Sequence, residues 1–186
     1  MEHAQRRARR RTEGREPRYR AQRRMGWLVS VVIAAAALCF VFLAWLTPMT
    51  VTGDSMSPAL NGGEIVLADR LGKYWKRPGR GDMIVFTSAD GVFIKRIVGL
   101  PGETVDIDGG RVYIDSRPLD ESAYAVNQTG EMEPVLVPDG AVFVLGDNRE
   151  KIYDSRLESV GCIPYDAITG VMRLRIAPIS RFTIFF

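Results

Sequence analysis

Between Arg24 and Asp54 the chain carries no charged residue, and the twenty residues Trp27–Leu46 (WLVSVVIAAAALCFVFLAWL) include one clearly polar side chain, Ser30. As a helix rising about 1.5 Å per residue, such a run is roughly 30 Å long, the thickness of a bilayer's hydrocarbon core. Trp27 and Trp45 stand near its ends, where indole rings favour the membrane interface. A buried core helix is the bland alternative, but core helices seldom run so long without a charge. A cleaved signal peptide would have a shorter apolar region ending in a small-x-small site. Here the run leaves through LTPMT (46–50), so an uncleaved anchor over 26–47 is the reading that fits.

The flanking charge sets the expected orientation. Residues 1–25 hold ten arginines and three acidic residues, a net +7, whereas the whole chain is +3. The remainder is therefore acidic, and the pI near 9.0 belongs to the tail. Such a tail beside an apolar span reads as the cytoplasmic side, which places 48–186 outside the cytoplasm. A nucleic-acid-binding arm is the rarer reading of the same charge, and no nucleic-acid partner is expected.

Composition also removes mechanisms. The single histidine is His3, in the tail. A Ser-His-Asp or Cys-His site and a histidine-built zinc site are thereby excluded. Cys39 falls in the expected span and Cys162 far beyond it, so neither a cysteine cluster nor an intramolecular disulfide is expected, and Cys162 reads as a packed side chain. With only four lysines, acid–base chemistry near neutral pH falls to carboxylates or to an unusual lysine. No metal or cofactor is expected.

Beyond the span, short apolar runs recur at 64–69, 83–88, 92–99, 104–108, 111–115, 141–147 and 168–176, separated by turn signals such as Asp90-Gly91, Gly109-Gly110 and Asp139-Gly140. No run of helical length and period stands out. The pattern predicts a mainly β, antiparallel, barrel-like domain with one core over 48–186, with 120–134 as a loop or small β excursion.

Three segments carry reactive residues. TGDSMSPAL (52–60) is a turn-rich stretch able to present Ser55, although a serine in a turn is more often inert. In VFIKRIVGLPGE (92–103), strand alternation puts Phe93, Lys95 and Ile97 on one face and Ile94, Arg96 and Val98 on the other. Burial would favour the neutral form of the Lys95 amine and make it a base; the ordinary alternative is a strand lysine reaching back to water. VLGDNREKIYDSR (144–156) crowds Asp147, Asn148, Arg149, Asp154, Ser155 and Arg156 behind an apolar strand, either as a solvated loop or as a polar frame for a site.

Taken together, GDSMSPAL after the anchor, Gly81-Asp82, FIKRIVGLPGE, GDNR and DSR occur in an order and spacing that resemble the type I signal peptidases, the bacterial membrane-anchored Ser-Lys proteases. The resemblance covers about residues 45–176. It implies a serine endopeptidase of the cytoplasmic membrane that removes signal peptides from exported preproteins after Ala-x-Ala-like sequences. Its implied nucleophile is Ser55 and its general base Lys95. It further implies Asp154 and Arg156 as supports near the dyad, Arg96 beside the lysine, Asp147 and Asn148 shaping the loop, and Met56 packed behind the serine. Substrate pockets fall on Met49, Val51, Leu60 and Ile94. Two positions depart from the pattern. Gly53 stands where some members carry an oxyanion-binding hydroxyl, leaving that task to the Ser55 N–H and water. Ile152 stands where a serine hydroxyl usually holds the lysine amine. A self-cleaving repressor-type Ser-Lys protease is the rival enzyme, disfavoured by the span and by the GDN-DSR segment. A tethered binding domain with a dead dyad is the rival outside enzymology.

Overall fold

The computed structural model describes residues 16–185, and the side chains of all of these except 16–24, 42–44 and 73. Most of the basic tail expected over 1–25 lies outside the described residues. Helix α1 spans Glu16–Ala44. No helix among the described residues is long and apolar enough to cross a membrane; the described side chains of α1 run from Met25 to Val41, and the rest of the expected span lies beyond them. Two residues after the helix the chain is already extended: β1 is Leu46–Thr50. Pro48 explains part of this, because its ring clashes with a helical conformation at the preceding residue, Thr47.

Residues 45–186 form one compact unit. Its strands are antiparallel and gather into two sheets. The larger contains, besides β1, β2 (Ile65–Asp69), β3 (Met83–Ser88), β4 (Gly91–Gly99), β9 (Ala141–Leu145), β10 (Ile163–Pro164), β11 (Ile168–Ala177) and β12 (Thr183–Ile184). Its order is β1-β2-β11-β3-β4-β9-β10, with β12 beside β11. The smaller sheet has the order β7-β6-β5-β8, from β5 (Thr104–Asp108), β6 (Arg111–Ile114), β7 (Arg117–Pro118) and β8 (Met132–Leu136). A single-turn helix, α2, covers Gly72–Trp75.

The sequence expectation of a barrel is corrected. The path of the large sheet stays open from β1 to β10, and no closing pair joins its ends among the described residues. Strand β10 has two residues, of which Pro164 lacks an N–H, so the ladder cannot continue there. The expected single core is also divided, into three apolar clusters. One, around Val51, Met56, Leu60, Val66 and Met172, underlies the segment that carries Ser55. Another joins Val98, Phe143 and Leu145 of the large sheet to Val105, Ile107 and Val112 of the small one.

Turn chemistry fixes the registers. Asp108 pairs with Arg111 across a two-residue loop, Gly109-Gly110, whose φ angles of 55° and 75° are those a tight hairpin of this kind requires. Strands β3 and β4 pair from Met83↔Arg96 to Ser88↔Gly91. On the other edge of β4, β9 pairs only from Arg96 onward. The stretch Gly91–Lys95 therefore has one strand neighbour among the described residues and one open edge. Strand β1 likewise pairs with β2 alone.

Candidate active site

Alternation along β4 runs as the sequence indicates. Phe93 and Ile97 pack into one cluster and Ile94 into another. Lys95 is 1% exposed, so its side chain is largely stripped of bulk water. That desolvation, opposed in part by the negative charges of Asp154 and Asp147, pushes the Lys95 pKa below the usual lysine range. No hydrogen bond holds Nζ to a protein acceptor among the described residues. Ile152, at the position where a hydroxyl was expected, is 56% exposed.

Ser55 comes to the same place from another segment. Its loop is folded back by Ser57 N–H donating to Asp54 O, Leu60 N–H to Met56 O, and Gly63 N–H to Val51 O. Ser55 itself is half-buried. Met56, 2% exposed, anchors the loop in the cluster with Val51 and Leu60. The Asn148 N–H donates to Ser55 O at 3.1 Å, joining the loop to the segment after β9. Gly146 marks how close the parts are: a Cβ there would lie 2.6 Å from Ser55 O and 3.4 Å from Lys95 Nζ. Ser55 N–H donates to no protein acceptor among the described residues.

Behind the pair stands a frame of arginine–carboxylate contacts. Arg96 grips Asp147 with two hydrogen bonds, Nε to Oδ1 at 2.7 Å and Nη2 to Oδ2 at 2.6 Å, and donates to Gly81 O. Its other face lies over the Tyr124 ring, 4.4 Å from the centroid. Burial raises the Asp147 pKa while Arg96 opposes that rise. Asp154 is fully buried; it accepts the Gly146 N–H and two side-chain bonds from Arg156. Arg156 also donates to the carbonyls of Thr129, Arg149 and Lys151. Such charges are almost never fully buried unless paired; here pairing offsets the cost of burying them.

A cleft of about 160 Å³ opens beside Ser55, lined by Met49, Val51, Gly53, Met56, Phe93 and Ile94 among others. Met49, Val51 and Ile94 thus line it, whereas Leu60 is fully buried in the cluster behind. Gly53, with φ of 82°, leaves its flank of the cleft without a side chain.

Arg149 and Gly146 have partners that the sequence did not assign to them. Arg149 is 2% exposed, donates from Nε to Gly146 O at 2.8 Å, and pairs with Glu121 and Thr129. Those two partners come from the stretch expected to be a loop or small β excursion, which laces onto 147–149: Val126 N–H donates to Asp147 O, and Arg149 N–H to Val126 O. Gly146 was legible as part of GDN, but nothing local revealed what it must leave room for. Cys162 is half-buried among apolar side chains, and burial raises its thiol pKa, the opposite of what a nucleophile needs.

Comparison with known proteins gives consistent matches. The family model described as signal peptidase, peptidase S26, matches residues 24–177. Signal peptidase I S of Bacillus subtilis (strain 168) is 33% identical over 166 residues, covering 83% of this chain and 90% of that protein. Signal peptidase I of Leptolyngbya laminosa is 36% identical over 163 residues, covering 82% and 77%. Probable signal peptidase I-1 of Synechocystis sp. (strain ATCC 27184 / PCC 6803 / Kazusa) is 35% identical over 164 residues, covering 83% and 82%.

Proposed function

The chain belongs to the signal peptidase family, peptidase S26, and we propose that it is a signal peptidase I that cuts signal peptides from exported preproteins with Ser55 as nucleophile and Lys95 as general base. The observation that carries this reading is the space at Gly146, which borders both the Ser55 backbone and the Lys95 amine. In the first step, neutral Nζ takes the proton from Ser55 Oγ while Oγ attacks the scissile carbonyl carbon. The oxyanion faces the free Ser55 N–H, the preorganised donor that such chemistry needs. Collapse breaks the C–N bond as Lys95 returns its proton to the leaving amine, giving an ester on Ser55. Water then gives a proton to Lys95 as it attacks the ester carbonyl; the C–O bond to Ser55 breaks, Lys95 returns that proton to Oγ, and the signal peptide leaves with a free carboxylate.

Strand edges support the mode of binding. The open edges of β1 and of Gly91–Lys95 flank one cleft, so a substrate can enter extended between them and complete both ladders. At about 160 Å³ the cleft is well below the size of ordinary ligand pockets. Met49, Val51 and Ile94 therefore favour small residues such as alanine on the substrate. Incubating the detergent-solubilised full chain with an exported precursor should yield a single cut after an Ala-x-Ala-like site, and Ser55→Ala should abolish it. A cut after large residues, or one that survives Ser55→Ala, would overturn the reading.

A membrane anchor over 26–47 is part of the same proposal, with 1–25 cytoplasmic and 48–186 extracytoplasmic. Every described side chain of α1 from Met25 to Val41 is exposed, including Trp27, Val32, Leu38 and Phe40. A helix apolar on all sides calls for lipid as its solvent. Exposed Trp75, tilted against Trp45 at 5.3 Å, adds an interfacial aromatic pair at the start of the catalytic unit. Protease added to intact spheroplasts should digest 48–186 and spare the tail; protection of the catalytic unit would reverse the orientation.

A further inference from the structure

Far from Lys95 in sequence, a second set of buried charges meets the other end of the serine loop. Glu64 is 4% exposed and Arg175 7% exposed. Arg175, on β11, donates Nη1 to the Ala59 carbonyl and to Glu64 Oε2, Nη2 to Thr183 Oγ1 at 2.7 Å, and Nε to Arg181 O at 2.6 Å. Arg181, in the turn Ile179–Arg181, donates Nη1 to Glu64 Oε1 and Nη2 to the Pro58 carbonyl at 2.8 Å. Glu64 completes the set by accepting the Asn61 N–H at 3.1 Å. The Phe185 ring lies over the Arg175 guanidinium and packs against the cluster that holds Met56.

These contacts have a common object. Pro58, Ala59 and Asn61 belong to the loop that begins at Asp54, and each is held by one of three groups converging from β11, the 179–181 turn and the end of the loop itself. Neither arginine reaches the substrate cleft, and both spend donors on loop carbonyls that no strand satisfies. An ion pair serving stability alone would not need those carbonyls, since an apolar replacement of similar volume often packs as well. We propose that Glu64, Arg175 and Arg181 are positioning residues, a clasp through which residues 175–185 fix the loop that presents Ser55.

The proposal rests on Ser55 being the nucleophile, and its test separates the two. In the full chain, Glu64→Leu with Arg175→Met removes both buried charges and keeps side-chain volume, while leaving the Ala59 carbonyl without its donor. Cleavage of a synthetic Ala-x-Ala peptide should fall about 10–100-fold in kcat, with KM within about twofold, because substrate touches neither residue. The pH midpoint of activity should not move, because Lys95 and its carboxylates are unaltered. Arg181→Lys keeps a charge for Glu64 but loses the planar fork that also reaches Pro58 O. It should lower kcat several-fold at an unchanged melting temperature, and it serves if the double variant does not fold. Parental kcat in a folded double variant, or in Arg181→Lys, overturns the clasp. Turnover persisting in Ser55→Ala would instead overturn the nucleophile on which the clasp acts.

Discussion

Lys95→Met should lose most of its turnover and melt at a higher temperature than the parent. The loss follows from position: Lys95 is the buried amine bordering the same space as Ser55, and a positioned general base contributes typically 10²–10⁴-fold. Lys95→Arg should fail equally, because a guanidinium stays charged. The gain in stability has a different source. Lys95 is almost wholly buried, and desolvation lowers its pKa. In the native state the amine gives up its proton more readily than in the unfolded chain, so over the interval between the two pKa values the unfolded chain binds more protons. Stability of the parent therefore rises with pH through that interval, and the penalty is largest below the lowered native pKa. Methionine fills a similar volume without a charge, so at pH 7 the variant should be the more stable of the two. The gain should shrink toward zero as pH approaches the ordinary lysine range. Parental kcat/KM should rise with pH through the lowered pKa, because only the neutral amine accepts the serine proton. Turnover persisting in Lys95→Met, or a variant less stable than the parent at pH 7, would remove Lys95 from this role.

What the sequence disclosed depended on how far apart the interacting parts lie. Strands β3 and β5 coincide with apolar runs at 83–88 and 104–108, and the Gly109-Gly110 turn announces its hairpin, because alternation and turn chemistry are local. Strand β1 was not among the expected strands: Leu46 and Thr47 fell within the expected anchor, and pairing with β2 is what makes LTPMT a strand. Strand β8 was hidden because Glu131–Leu136 alternates poorly; its partners Val105 and Ile107 define it. The proposed dyad was suggested by motif order, since neither a turn serine nor a strand lysine is distinctive alone. The frame was half legible. Arg96, Asp147, Asp154 and Arg156 sit inside motifs, whereas Glu121, Glu64 and Arg175 act across separations that no local pattern encodes. Barrel closure failed for a similar reason, as alternating strands look the same in an open sheet.

Gly146→Ala should lower kcat by about 100-fold, although the substitution adds one methyl group. Gly146 does not need a left-handed backbone, so alanine meets no conformational objection; the objection is space. The new Cβ would stand 2.6 Å from Ser55 O, closer than such contacts occur, and 3.4 Å from Lys95 Nζ. Something must move. The Gly146 side is fixed by its N–H on Asp154 Oδ2 and by Arg149 Nε on its carbonyl, both from buried groups. Relief therefore falls on the Ser55 backbone, whose carbonyl is held there by a 3.1 Å bond from Asn148 N–H. Moving the nucleophile by about 1 Å is enough to cost roughly 10²-fold in rate. KM should change little, because Met49, Val51 and Ile94 line the cleft from other segments. The overpacking should cost about 1–3 kcal/mol of stability, so melting must be followed on the same sample as turnover. The clasp predicts a consistent pattern from the other end of the loop: Gly146→Ala pushes Ser55 directly, whereas loss of Arg175 releases Ala59 four residues on. Parental kcat in a folded Gly146→Ala would mean that the serine loop gives way without consequence, and that the contact at Gly146 does not set the geometry of the dyad.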